Sequence, residues 1–266
     1  DKPAHLTAIR ETFQKLGSPC MGIHYDPANE IDPAHFRGVR GLFLDLHLME
    51  GALGTDHRRH YAQIATILEN NIHPDGGPFV LVVWTENARL NQELTDYLNE
   101  SLDPAKPHSR PLAVLCLEKR RFIDVESGVP TDSAGLRQAV KDAISSNPQL
   151  AALLSWETDV LTAAGATLSA LLGLVPAAER VTGAFPAAIN TVLSQLARAS
   201  VGESNVAADP RAAINYALSP ILTDRILNQD ITDATRELWR HAVTRSSDPA
   251  LGDLSAEGAG QVNRML

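Results

Sequence analysis

A chain of 266 residues is long enough to bury the cores of two ordinary domains, and 44% apolar with 21% charged residues excludes a disordered polypeptide. Its 23 lysines and arginines stand against 32 acidic residues, a formal charge of −9, and no lysine follows Lys141. That balance is the reverse of a polyanion-binding surface, so nucleic acid is not an expected partner.

The predicted elements begin with a helix, whose stripe is Leu6, Ile9, Phe13 and Leu16. Four short apolar runs then read as buried strands: Pro19–Tyr25, Gly41–Leu46, Phe79–Thr85 and Leu112–Leu117. Helical stripes lie between and after them at Tyr61, Ile64, Ala65 and Leu68, at Leu90, Leu94 and Tyr97, and at Leu136, Val140 and Ile144. Strand alternating with helix predicts an α/β domain with a doubly wound parallel sheet. Because a helix comes first, that sheet lacks its first strand. Turn chemistry marks the seams, at Asp75-Gly76-Gly77-Pro78, at the Pro-rich loop 103–111, and at Ser145-Ser146-Asn147-Pro148. Cys20 and Cys116 sit inside apolar runs, the pattern of free buried thiols in a reducing compartment, and a cytoplasmic address is expected.

After Pro148 alanine and leucine become dense and strand-like runs cease. Leu153–Leu174, Pro186–Ala199, Pro210–Leu227 and Thr232–Thr244 read as helices, with Pro220 kinking or starting one and Trp156 as a packing anchor. The uncharged stretch 160–178 holds three threonine and serine residues, two glycines and Pro176, so it reads as a buried helix and no membrane span is expected. The predicted organisation is an α/β domain over residues 1–147 and an all-helical output or interaction domain over 148–266.

Reactive groups in a doubly wound sheet gather at the carboxyl ends of its strands. Asp45 closes the second run, Thr85 the third, and Lys119 follows the fourth, while Asp1 stands just before the first helix. Acids, a lysine and a hydroxyl in that arrangement suit a divalent cation, a carboxylate nucleophile and a phosphoryl group. An aspartate ending a strand is often only a cap; the four residues together argue for more. His57 and His60 share a helix face, but Arg58 and Arg59 separate them and no third ligand is near, so they read as a solvated helix start.

At these residues the chain resembles the receiver domains of two-component response regulators. The resemblance rests on Asp1-Lys2-Pro3 leading into the first helix, on Leu42-Phe43-Leu44-Asp45-Leu46-His47-Leu48 with Gly51, on Val83-Trp84-Thr85, and on Leu117-Glu118-Lys119 followed by Phe122. It covers about the first 125 residues. It implies a flavodoxin-like fold and a phosphorelay role without enzymatic turnover. Asp45 would accept a phosphoryl group from a histidine kinase or phosphotransfer protein, Thr85 and Lys119 would contact its oxygens, and Asp1, Asp45 and the backbone carbonyl of His47 would bind Mg²⁺. A protein partner of the helical domain is implied, and a homodimer is left open. The family carries a second acid immediately before Asp1, so the sequence is expected to be truncated at its start, and its helical part to be incomplete at its end. Several positions depart from the family: Arg120 and Met49 stand where proline is usual, Glu86 where a small residue is usual, and Cys116 at the aromatic position three residues before the lysine. Those departures open a second expectation, a phosphorylation-independent pseudo-receiver that serves as a scaffold. A phosphoaspartyl hydrolase is disfavoured, because His47 occupies the place of its second acid.

Overall fold

Three of the four apolar runs become strands: β1 (Gly41–Asp45), β2 (Val80–Thr85) and β3 (Ala113–Glu118). They form one parallel sheet in the order β1-β2-β3, with Phe43 beside Val82 and Val82 beside Leu115. The computed structural model describes residues 3–15, 17–26, 31–46, 57–85, 90–124, 126–127, 129–244 and 255–265, and, within residues 3–5, the backbone alone. Central β2 is buried at every position, which is why it reads as an unbroken apolar run, whereas β1 is only partly covered.

Helix α1 (Pro3–Lys15) precedes the sheet, α2 (Arg58–Asn71) crosses from β1 to β2, and α3 (Asn91–Ser101) crosses from β2 to β3. Two successive crossovers of one hand put both helices on one face. There Tyr61, Ile64 and Leu68 of α2 and Leu94 and Leu98 of α3 pack with Leu81, Val83 and Cys116. Leu42 and Leu44 also lie against this core, so the intervening Phe43 projects to the other face. That face meets Phe13 of α1, the short α4 (Lys119–Phe122) and α5 (Ser133–Ser145), the last of which lies along β3. Helix α5 starts cleanly because the Asp132 carboxylate accepts a hydrogen bond from the Gly135 N–H at 2.7 Å. At the amino end of the sheet Arg40 donates to the Gly76 carbonyl at 2.6 Å and fastens the turn into β2. Gly77 of that turn has φ +77°, and a Cβ there would come within 3.0 Å of the Arg40 guanidinium.

Two expectations are corrected in this half. Pro19–Tyr25 is not a strand: residues 18–26 join no ladder. The run is held by packing on α1, where a Cβ at Gly22 would lie 2.9 Å from Arg10 and 3.0 Å from Leu6, and Met21 is left exposed. Ile23 packs against the sheet's core, but among the described residues the run pairs with neither outer strand. His60 is buried at 3% exposure, not solvated, because it sits one position before Tyr61 on the core side of α2. His57 stacks on the Tyr61 ring.

The chain divides into two compact units, Asp1–Leu150 and Ala151–Leu266. Helix α6 (Pro148–Gly173) is followed by α7 (Phe185–Val201), α8 (Glu203–Ala208), α9 (Pro210–Leu227), α10 (Asp233–Val243) and α11 (Ala256–Met265). Helices α7, α8 and α9 pack together, and Ala188, Ala197, Ala213 and Ala217 are the residues they bury. Small side chains let backbones approach, so the alanine-dense composition serves close helix packing. Asp209 caps α9 by accepting from the Ala212 N–H, and Pro220 is accommodated inside that helix. Stretch 160–178, expected as a buried helix, is helical to Gly173 but keeps Leu161, Leu168, Leu172 and Leu174 exposed. Trp156 is likewise 53% exposed. Among the described residues no helix is long and apolar enough to cross a membrane.

Candidate functional site

The carboxyl end of the sheet assembles the site one strand at a time. Asp45 is the last residue of β1, and the Leu46 N–H still donates to the Trp84 carbonyl at 2.9 Å, so the backbone is held through the position that carries the carboxylate. Thr85 ends β2 and is 3% exposed. Lys119 follows β3 directly and opens α4, a single helical turn that ends the strand and turns the lysine back over the sheet.

Lys119 Nζ lies 2.8 Å from Asp45 Oδ2, and both side chains are only 10% exposed. Asp45 ends one outer strand and Lys119 follows directly on the other, with β2 between them. Neighbouring strands lie about 4.8 Å apart, so the gap of about two strand spacings is closed by the four-carbon lysine stem reaching from one side and the Asp45 side chain from the other. The pair is removed from bulk water, where mutual attraction is strong and the loss of either partner is costly.

Beneath the pair runs a row of aromatic rings. Phe13 meets Phe43 at 5.1 Å between centroids, Phe43 meets Trp84 at 5.8 Å, and Trp84 meets Phe122 at 6.0 Å. Asp45 shares the parity of Phe43 and pairs in register with Trp84, so its carboxylate emerges at the end of this apolar layer. On the opposite face, burial pushes the Cys116 thiol up to about 11, which keeps it neutral and unreactive at physiological pH.

Comparison with family models, with curated proteins and with solved structures finds no match.

Of the residues singled out from the sequence, Asp45 and Lys119 are brought into contact, and Thr85 is set on the strand between them. Asp1, His47, Met49, Gly51 and Glu86 lie outside the described residues. Arg120 is exposed on α4, and Cys116 is buried in the core of the α2 and α3 face. As for Mg²⁺, Asp45 offers the hard oxygen that ion takes, and no group of three or more His, Cys, Asp or Glu that could hold a metal occurs among the described residues. Sequence reasoning missed the part played by Trp84. Its position one residue before Thr85, in a strand parallel to the one ending at Asp45, was the available signal.

Proposed function

We propose that the α/β unit is a cytoplasmic, flavodoxin-like receiver that accepts a phosphoryl group on Asp45 from a histidine kinase or phosphotransfer protein. The observation that supports it is the Asp45–Lys119 ion pair at the carboxyl end of a parallel sheet, with Thr85 on the intervening strand. In this reading a carboxylate oxygen of Asp45 attacks phosphorus, and the donor departs with the electron pair of the broken bond. Asp1, Asp45 and the His47 carbonyl would hold Mg²⁺, which supplies positive charge against the phosphoryl oxygens. Phosphorylation turns Asp45 into a mixed anhydride and moves the negative charge outward onto those oxygens. Lys119 follows the charge, and the Thr85 hydroxyl donates to it. The Asp45–Lys119 contact is thereby exchanged for a new one, and the surface around α4 is offered to a partner in altered form, switching the helical region's contacts.

A second reading has its own support. A nearly dry ion pair from the end of β1 to the start of α4 also serves as a fixed clasp, and the chain would then be a pseudo-receiver acting as a protein-binding scaffold. The test is incubation with acetyl phosphate and Mg²⁺ followed by intact-mass measurement of the wild type and Asp45→Ala. A phosphate-sized gain in the wild type, absent from the variant, is expected for a receiver. No gain in either protein, with circular dichroism unchanged, would reject phosphorylation and leave the scaffold.

A further inference from the structure

Helix α6 is apolar on two nearly opposite sides. Ala152, Ala163, Thr167 and Leu171 are buried, and the Asp159 backbone carbonyl accepts a hydrogen bond from the Gln229 side chain, so one side is turned to its own unit. The other side carries Leu154, Leu161 and Leu168 at seven-residue intervals, with Thr158, Gly165 and Leu172 interleaved at alternating steps of four and three. Leu161 is 66% exposed, Leu168 58% and Leu172 46%. A helix apolar all round is ordinarily covered all round.

The spacing says what covers it. Steps of four and three place Leu154, Leu161 and Leu168 at the d positions of a coiled-coil seam, and Thr158, Gly165 and Leu172 at the a positions. Residues flanking such a seam choose its partner by charge. Here they are Ser155, Thr162 and Ser169 on one side and Glu157 and Ala164 on the other, where Leu171 is turned inward. With a single charge among these five, nothing selects a partner of opposite sign and little repels an identical helix. Parallel pairing sets Glu157 against Thr162 of the other copy and keeps the two Glu157 carboxylates apart, and leucine at d is the usual choice in parallel pairs. A Cβ at Gly165 would meet nothing within 4 Å, so the middle of the seam is open to a close neighbour.

We propose that the exposed side of α6 is a homodimer interface, a parallel two-helix seam from Leu154 to Leu172 formed with a second copy of this chain. At 1.5 Å per residue the seam runs about 27 Å. It covers roughly 500 Å² on each copy, a total of roughly 1,000 Å² at the lower limit of specific interfaces, so association in the micromolar range is expected.

Sedimentation equilibrium of the full chain from about 1 to about 100 µM reads this directly. The mass is expected to rise towards twice that of one chain, and Leu161→Lys with Leu168→Lys to weaken association by about 100-fold or more, as expected for burying unpaired charge at a seam centre. Both leucines are already exposed, so far-ultraviolet circular dichroism should be unchanged in the double variant. Thr158→Cys, placed in a background with Cys20 and Cys116 replaced, should cross-link to itself on oxidation because parallel pairing faces position 158 with its own copy. A chain that stays monomeric through this range would overturn the proposal. So would a dimer indifferent to the two lysines, or a Thr158→Cys that fails to cross-link while the dimer persists.

Discussion

Replacing Lys119 by methionine keeps most of the side-chain length and removes the charge that Asp45 faces. At 2.8 Å and an effective dielectric near 20 the attraction is about 6 kcal/mol, before the cost of drying both ions is set against it. Both side chains are 10% exposed, so that cost is substantial, and the net worth of the intact pair is small. Breaking it is another matter: Lys119→Met leaves a carboxylate at the end of an aromatic layer without its cation, which should cost about 3–4 kcal/mol. Asp45→Asn should cost about as much, whereas the double variant should lose far less than the sum, giving a coupling of about 2–3 kcal/mol. Urea unfolding would be followed by Trp84 fluorescence in a Trp156→Phe, Trp239→Phe background, so that the signal reports the α/β unit alone. A coupling below about 0.5 kcal/mol would mean a solvated surface pair, and the charge exchange on which the proposed phosphoryl switch depends would lose its basis.

Other consequences can be measured alongside. Val83→Ala in the fully buried β2 should cost about 2–3 kcal/mol in the same unfolding assay, since the sheet cannot close the void from either side. Gly135→Ala would put a Cβ 2.0 Å from the Asp132 carboxylate and dislodge the cap of α5, a loss of about 1 kcal/mol read as a lower urea midpoint. The Cys116 thiol, raised from 9.0 to about 11 by burial, contributes stability that is complete below pH 9 and lost as pH climbs towards 11; the alkaline limb of a stability-against-pH curve should therefore flatten in Cys116→Ala. At neutral pH iodoacetamide should label Cys20, which is less buried, well before Cys116.

How much of this was legible beforehand varied with the kind of signal. Strands β1, β2 and β3 were readable because each is an unbroken β-branched or leucine-rich run, wholly buried in β2 and partly covered in β1 and β3, and the carboxyl-edge position of Asp45 and Lys119 followed from where those runs stop. Pro19–Tyr25 is also a short, mostly apolar run, but only Ile23 in it is β-branched, and strand geometry depends on pairing with a neighbouring strand, which no local pattern records. His60 misled for a related reason: flanking arginines describe the solvent side of α2, while burial is decided by which way one residue points on a 100° wheel. Exposure on α6 was hidden by its composition, because apolar residues on all sides say that a helix is to be covered and leave open by what. The contact between Lys119 and Asp45 needed the register and the single turn of α4, neither of which has a composition.

The strands of this sheet are laid down in the same order in which they occur along the chain, each beside its predecessor. Pairing β1 with β2 and then β2 with β3 closes two moderate loops, whereas Asp45 and Lys119 are 74 residues apart and can meet only after both closures. That lateness makes the clasp a poor accelerator of folding and an effective brake on its reversal. Variants that sever it should refold at nearly the wild-type rate and unfold faster, so its contribution to the life of the native protein is one of duration.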